Sequence, residues 1–244
     1  MINFRTDLAL ERRDLFKKAN NISNEVDGLE TQEESFTDDI KISRVKVLND
    51  NGEQAIGKRK GTYITIDIKN LKIAGEDEIQ KASEAVTKEL KNLIGALVDP
   101  QEDILVVGLG NLYVTPDALG PKVVNEIDIT RHLLNYMPDV LDKDTRPVSA
   151  IAPGVLGTTG IETLEVIKGI VENIHPKLII VIDALASRSI ERISSTVQLA
   201  DTGIVPGAGV GNERKELTKE TLGVPVIAIG IPTVVDIFSC NAKI

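Results

Sequence analysis

The sequence predicts an α/β protein: a three-layer α/β/α arrangement with a mainly parallel sheet, plus a small N-terminal β-rich segment. Two observations favour this fold class. Several short apolar runs lack polar alternation, which is typical of parallel strands that are buried on both faces. Stretches with apolar residues at helical spacing separate these runs, and such alternation indicates a sheet that helices cover on both sides. With 244 residues, the chain is long enough for one such domain.

The first elements are expected in the N-terminal part of the chain. Residues 1–40 are polar and acidic without a sustained period, so we expect a mobile, loosely attached arm there. Two β-like runs follow at 42–47 and 62–68, and the Asn-Gly pair at 51–52 predicts a turn between them. Apolar residues three and four apart then predict a helix over 76–97 with one buried face.

The remaining elements alternate between strand and helix. Helices are expected over 122–137 and 161–174, with Thr158 or Thr159 as the N-terminal cap of the second. Glycine and proline cluster where the strands end, and the loops beyond the carboxyl ends of parallel strands form the binding crevice of such folds. The predicted parallel strands cover 104–107, 148–151, 178–182 and 224–229.

Composition and charge exclude several classes of function. The chain has 28 Lys and Arg against 37 Asp and Glu, a net charge of −9, so we expect no direct binding of nucleic acid. It has neither a signal-peptide pattern nor the roughly 20 consecutive apolar residues that span a bilayer, so we expect a cytoplasmic protein. Cys240 is the only cysteine, and His132 and His175 are too few for a His-rich metal site.

A glycine-rich turn follows the strand at 104–107 but does not match a nucleotide-binding loop. Gly108 and Gly110 fit the first two glycines of the dinucleotide fingerprint, whereas Tyr113 stands where the third should be. The helix also begins late, so no helix N-terminus lies close to the turn to bind a pyrophosphate. We therefore expect no bound cofactor and no metal.

Two acids at strand ends are the candidate catalytic residues. Asp117 lies in the turn after one predicted strand and Asp183 directly follows another. From the residues alone, each acid has a second interpretation, as a cap for the backbone N–H groups of a nearby helix. If the two carboxylates meet, they share a proton, and one can deprotonate water while the other polarises a peptide carbonyl. Hydrolysis by an acid pair is the chemistry that this chain supports most readily.

Long segments of the sequence resemble the germination proteases, the spore endopeptidases that degrade small acid-soluble spore proteins. The matching segments include FRTDLALE, VVGLGNLYVTPDALGPKVV, RPVSAIAPGVLGTTGIET, IIVIDALASRSIERI, GAGVGNERKE and LGVPVIAIGIPTVVD. More remotely, the chain is similar to the hydrogenase maturation endopeptidases, which share an α/β/α layout. The resemblance implies an atypical aspartic-type peptidase whose catalytic pair is Asp117 and Asp183.

The resemblance also implies an inactive precursor that activates itself. Family members remove a short leader before an aliphatic-Ala pair, and their substrates are cut after an acid in a similar context. The segment TDLALE at residues 6–11 fits this pattern, so the expected cleavage is at the Asp7–Leu8 bond. The expected organisation is a propeptide over 1–7, a mobile acidic arm over 8–40 and a single α/β peptidase domain over 41–244.

The family further implies small acid-soluble spore proteins as partners, a location in the forespore or spore core, and a homotetramer. This chain ends in IFSCNAKI soon after the IGIPTVVD segment, so we expect it to be C-terminally short relative to the family. Two alternatives stay open. One is a hydrolase of the same fold with another substrate or a metal-assisted mechanism, for which His132 is the only nearby third ligand. The other is a truncated binding protein without catalytic activity.

Overall fold

The structure, a computed structural model, describes residues 6–142, 144–211 and 214–235. Cys240 and the first five residues of the expected propeptide lie outside these ranges. The strands of the described part are β1 (Leu29–Ser35), β2 (Ile40–Val47), β3 (Gly61–Ile68), β4 (Ile104–Gly108), β5 (Val148–Ile151), β6 (Leu178–Ser187), β7 (Thr196–Ala200) and β8 (Val226–Val235). Its α-helices are α1 (Ala9–Ala19), α2 (Asp50–Ile56), α3 (Glu76–Gly95), α4 (Leu119–Glu126), α5 (Arg131–Tyr136), α6 (Leu156–Thr159), α7 (Thr163–Ile174) and α8 (Lys219–Leu222).

All eight described strands form one mixed sheet, in the order β1-β2-β3-β7-β8-β6-β4-β5. Only β8, β6, β4 and β5 are paired in parallel, whereas the other four pairs are antiparallel. The expectation of a mainly parallel sheet is therefore corrected to a mixed one. The chain reverses between β6 and β7 within residues 188–195, which are too few for the crossover that a parallel neighbour needs. The N-terminal β-rich segment, β1 to β3, continues the same sheet through the β3–β7 pair.

Helices cover both faces of the parallel half. Ala85 of α3 packs in one core cluster with Val106 of β4, and Ile167 of α7 packs in another with Leu105. Because neighbouring residues of a strand point to opposite faces, α3 and α7 lie on opposite sides of the sheet. None of the helices in the described part is long and apolar enough to cross a membrane.

Residues 8–40 do not form the loosely attached arm that their composition predicts. They contain α1 and β1, and Leu8 and Ala9 at the start of α1 are fully buried. Glu11 and Arg12 are buried as well, and each has specific hydrogen-bond partners. Because these polar side chains take buried positions of α1, the apolar periodicity that predicts a helix is missing from the sequence. The stretch is an integral part of the fold.

The Asn-Gly pair at 51–52 lies in the first turn of a helix, α2, rather than in a tight turn between β2 and β3. The side chain of Asn49 accepts hydrogen bonds from the N–H groups of Asn51 and Gly52, which makes it the N-terminal cap of α2. The residues that favour tight turns also favour helix starts, so the local sequence fits both structures.

The predicted helix over 122–137 is two helices, α4 and α5. Thr130 interrupts it, because its hydroxyl donates to the carbonyl of Arg146 and accepts from the N–H of Val148, which ties the chain to β5. The expected cap of the following long helix is also wrong. Thr158 and Thr159 belong to α6, and α7 begins only after Glu162.

The order of the parallel strands predicts where a ligand binds. β4 connects along the chain to β5 on one side of it, and the next strand, β6, lies on the other side. A crevice opens outside the carboxyl ends of two neighbouring strands at such a reversal. In this fold, the crevice lies between the ends of β4 and β6.

Candidate active site

Asp117 lies at the end of a short 3₁₀ helix, Thr115–Asp117, in the connection from β4 to α4. Its Oδ2 accepts a hydrogen bond from the N–H of Asn111 at 2.8 Å. Gly110 lies directly against it with a φ of +112°, and a Cβ at this position would be 2.0 Å from the carbonyl oxygen of Asp117. Asp117 therefore closes the turn, and the glycine is required for that close approach.

Close backbone packing holds this turn against β6. The N–H of Leu109 donates to the carbonyl of Ile182 at 2.8 Å. Gly120 of α4 leaves no room for a side chain, since a Cβ there would be 2.4 Å from the Leu109 nitrogen and 2.6 Å from the Ile182 oxygen. These contacts fix the Asp117 turn beside the residue that follows Ile182, which is Asp183.

Asp183 lies inside β6, which extends beyond the predicted strand to Ser187. Its exposed fraction is 7%, and its Oδ1 accepts a hydrogen bond from the N–H of Ala184 at 2.9 Å. In the second interpretation, Asp183 would cap a helix, but the next helical turn is only a 3₁₀ turn, Ile190–Arg192, which follows Ser189. The interpretation of Asp183 as a helix cap is therefore wrong.

Asp117 and Asp183 line one cleft of about 420 Å³, together with Asp7. Burial raises the pKa of Asp183 to about 7, and the charges of Asp7 and Asp117 add to this rise, whereas the Ala184 N–H opposes it. Burial also raises the pKa of Asp117, against the hydrogen bond from Asn111. Within the described residues, no lysine or arginine charge lowers the pKa of either acid. Both carboxyl groups are thus available to exchange protons with a ligand in the cleft.

Comparison with known proteins connects this site to a family. The sequence profile described as germination protease matches residues 7–243. The chain is similar to the germination protease of Clostridium perfringens strain ATCC 13124, with 51% identity over 97% of this chain and 71% of that protein. It is 52% identical to the germination protease of Clostridium acetobutylicum, over 97% of this chain and 72% of the relative. It is 50% identical to the germination protease of Priestia megaterium, over 98% of this chain and 65% of that protein.

The chain belongs to the germination protease family. It is accordingly a peptidase, an endopeptidase with a function in spores. The resemblance seen in the sequence is confirmed, and the cleft is therefore that of a germination protease.

The N-terminal segment of this germination protease lies in the cleft. The N–H of Asp7 donates to the carbonyl of Ala186 at 2.9 Å, and Asp7 Oδ2 accepts from the N–H of Ala186 at 2.9 Å. Gly209 packs so closely that a Cβ on it would be 2.2 Å from Asp7 Oδ2. β4 ends at its pairing of Gly108 with Ile182, so the edge of β6 beyond that point is free to bind the segment.

Glu11 fastens the same segment further along β6. Its carboxylate accepts hydrogen bonds from the hydroxyls of Thr6 and Ser187, at 2.5 and 2.9 Å, and from the N–H of Arg188 at 2.9 Å. Arg12 Nε donates to the carbonyl of Thr6 at 2.9 Å. Residues on both sides of the Asp7–Leu8 bond are therefore held against the sheet.

A second cavity of about 180 Å³ lies beside the cleft, and Asp7 and Leu185 line both. Its charged lining includes Arg12 and Lys58. Although Lys58 is partly exposed, burial lowers the pKa of its ammonium to about 8; the Arg12 charge adds to this effect and the Asp7 charge opposes it. Asp7 thus lies between an acidic cleft and a basic cavity.

The candidate third metal ligand is not part of the cleft. His132 is exposed on α5 and is absent from the described residues that line the site. In the described part of the chain, no three His, Cys, Asp or Glu side chains are grouped so that they could hold a metal ion.

Sequence reasoning missed two groups that contact the N-terminal segment. One is the main chain of Ala186, which no side-chain pattern can reveal. The other is Gln198, which contacts residues on both sides of the Asp7–Leu8 bond. A polar residue within the apolar run TVQLA was the only signal for it.

Proposed function

We propose that this germination protease degrades small acid-soluble spore proteins at germination, with Asp117 and Asp183 as the pair that activates water. One observation carries the proposal: both carboxyl groups line the cleft that also holds Asp7 of the chain's own N-terminal segment. A peptide in this cleft and the two acids that would hydrolyse it then lie in one site.

The different burial of the two acids assigns their roles. Asp183 is the more buried, and burial raises its pKa to about 7, which favours the protonated form. A protonated Asp183 donates a hydrogen bond to the carbonyl oxygen of the substrate and stabilises the negative charge that develops there. Asp117 is less buried and accepts a hydrogen bond from the N–H of Asn111, so we assign it the role of taking a proton from the attacking water.

We further propose that the chain is made as a precursor that cuts its own Asp7–Leu8 bond. Asp7 lines the cleft, and Leu8 and Ala9 are fully buried, so an external protease reaches this bond only after local opening. Asp117 and Asp183 already share the cleft with Asp7. Removal of residues 1–7 would then free the cleft for substrates with an acid followed by an aliphatic residue and alanine.

The setting of the reaction is part of the proposal. From the resemblance seen in the sequence, we propose that the enzyme acts in the spore core and assembles as a homotetramer. Its net charge of −9 suits it to substrates that are released from DNA rather than to DNA itself.

The experiment is an incubation of the purified chain with a small acid-soluble spore protein. Asp117→Asn and Asp183→Asn each reduce the rate of cleavage by more than about 100-fold, because each removes one partner of the acid–base pair. Asp38→Asn, a change of an exposed acid, leaves the rate unchanged. If a chelator abolishes cleavage, the metal-assisted alternative replaces this mechanism, and binding without cleavage in the parent chain favours a non-catalytic binding protein.

A further inference from the structure

Gln198 and Asp183 lie in one row across three neighbouring strands. Gly230 of β8 pairs in register with Asp183 of β6 on one side and with Gln198 of β7 on the other. Residues paired in this way point to the same face of a sheet. The amide of Gln198 and the carboxyl group of Asp183 therefore share a face, with a glycine between them.

The Gln198 side chain, 7% exposed, contacts both sides of the Asp7–Leu8 bond. Its Nε2 donates to the carbonyl oxygen of Asp7 at 3.2 Å, and its Oε1 accepts from the N–H of Ala9 at 2.8 Å. The carbonyl oxygen of Asp7 belongs to the peptide bond that we propose is cut. The Ala9 N–H, at the start of α1, has no partner within its own helix, so Gln198 supplies one.

Ala186 holds the segment from the other direction. Its N–H and carbonyl both bind Asp7, where the pairing of β6 with β8 shifts register between Leu185 and Ala186. The unpaired residue at this shift is Thr233 of β8, and irregularities of this kind are common beside active sites. Ala186 thus binds the acid before the bond, while Gln198 binds the main chain around it.

We infer that Gln198 is the substrate-positioning residue of this enzyme: its amide binds the carbonyl of the residue before the cleaved bond and the N–H of the second residue after it. This inference rests on the proposed function. A side-chain amide that donates to one peptide group and accepts from another binds the main chain of a peptide independently of the side chains of that peptide. It fixes the position of the main chain around the bond, so that the acid before the bond binds Ala186.

Only the Nε2 donor becomes free for a substrate once the leader has left, because Ala9 stays in the chain and its N–H still binds Oε1. Removal of residues 1–7 takes away the Asp7 carbonyl, and the buried Nε2 of Gln198 then lacks its acceptor. A buried donor without a partner is costly, so a peptide carbonyl that restores the bond is favoured. Ala9 is fully buried against this site, which leaves room only for a small residue two positions after the cleaved bond in the precursor.

The test compares Gln198→Met and Gln198→Glu with the parent chain, and Gln101→Met, at an exposed turn, is the matched control. Gln198→Met keeps the length of the side chain but has neither hydrogen bond, and we expect it to slow cleavage of the Asp7–Leu8 bond about 100-fold. Gln198→Glu is equally slow at neutral pH, yet its rate relative to the parent recovers as the pH falls towards about 5, where a neutral carboxyl group donates and accepts as the amide does. A purely structural role predicts no such recovery.

A second measurement does not depend on catalysis. In an Asp183→Asn background, which leaves the leader in place, Gln198→Met accelerates hydrogen exchange of the Ala9 amide about 10-fold or more, because this N–H loses its acceptor. Gln101→Met leaves the exchange unchanged. Circular dichroism confirms that each variant is folded.

The outcomes separate this inference from the function on which it rests. If the parent chain never cuts the Asp7–Leu8 bond, the proposed function fails, and the exchange of Ala9 alone then decides whether Gln198 holds the segment. If the parent cuts and Gln198→Met cuts equally fast, the positioning role is overturned. An unchanged Ala9 exchange overturns it as well.

Discussion

The carboxylate of Asp7 and its own N–H bind the two main-chain polar groups of Ala186, each at 2.9 Å. Ala186 is 2% exposed, so these groups have little access to water. The acid before the proposed cleavage bond is therefore recognised by the backbone of the strand that carries Asp183. Recognition of the peptide and placement of one of the two proposed catalytic acids therefore depend on the same strand, β6.

Substitution of Asp7 tests this recognition. Asp7→Ala leaves the N–H of Ala186 without an acceptor, and we expect cleavage after position 7 to slow by about 10-fold or more. Asp7→Asn keeps a carbonyl acceptor and has a smaller effect. The time course of the mass loss of residues 1–7 measures both rates, with Asp38→Ala as the control at an exposed acid. Equal rates for the alanine variant and the parent would show that the contact is dispensable.

The raised pKa of Asp183 predicts how stability depends on pH. Burial raises this pKa from 3.8 to about 7, so the folded chain binds more protons than the unfolded chain between these values. The contribution of Asp183 to the free energy of unfolding is complete below the unfolded pKa and is lost as the pH rises through 7. Asp183→Asn removes the titration, so the variant exceeds the parent in stability above pH 7 by on the order of a few kcal/mol.

Urea unfolding of both chains between pH 4 and 8 measures this difference. The gap between their free energies of unfolding should open as the pH rises. Parallel curves would mean that Asp183 keeps its ordinary pKa and is ionised in the folded state, against the proton-donor role given to it.

Gly110→Ala separates the geometry of the Asp117 turn from the fold. The new Cβ would lie 2.0 Å from the Asp117 carbonyl oxygen, at a φ of +112° that alanine rarely adopts, so the turn and its carboxylate must shift. We expect a loss of about 100-fold or more in cleavage rate from this displacement. Gly169→Ala on the exposed side of α7, where a Cβ meets nothing within 4 Å, is the matched control and retains activity. Full activity of Gly110→Ala would exclude a tight positional role for Asp117.

A buried ion pair joins α3 to the sheet. Arg44 of β2 donates two hydrogen bonds to Glu89 of α3, at 2.6 and 2.9 Å, and the Glu89 side chain is only 2% exposed. Glu89→Gln removes the negative charge that pairs with the largely buried guanidinium of Arg44. This change should lower the free energy of unfolding by about 3 kcal/mol. Glu33→Gln, in the exposed pair with Lys41, should cost under about 1 kcal/mol in the same urea experiment. Similar losses in the two variants would contradict the difference in burial.

Apolar patterns located most of the sheet but not its directions. The runs at 104–107 and 148–151 became β4 and β5 because continuous apolar residues without alternation fit strands buried on both faces. β7, with the sequence TVQLA, was not predicted, since Gln198 breaks its apolar run. Its antiparallel pairing depends on a short connection and on partners distant in sequence, and no local pattern records either.

The candidate site was predicted in part. Asp117 and Asp183 were found because both acids follow the carboxyl ends of predicted strands, Asp117 in the turn and Asp183 directly, and the structure brings both into one cleft. Asp7 was expected only as a cleavage position. β4 ends at Gly108, opposite Ile182, whereas β6 continues for five more residues. This leaves one edge of β6 free, and Asp7 binds there.

Self-processing of the purified precursor tests the central claim, that Asp117 and Asp183 act together on a peptide in one cleft, most directly. Mass spectrometry follows the parent chain, Asp117→Asn, Asp183→Asn and the double variant over time. We expect the parent to lose residues 1–7, each single variant to be slowed by more than about 100-fold, and the double variant to be little slower than either, because the two acids work as one unit. Loss of the leader at the parental rate in either single variant would contradict the account.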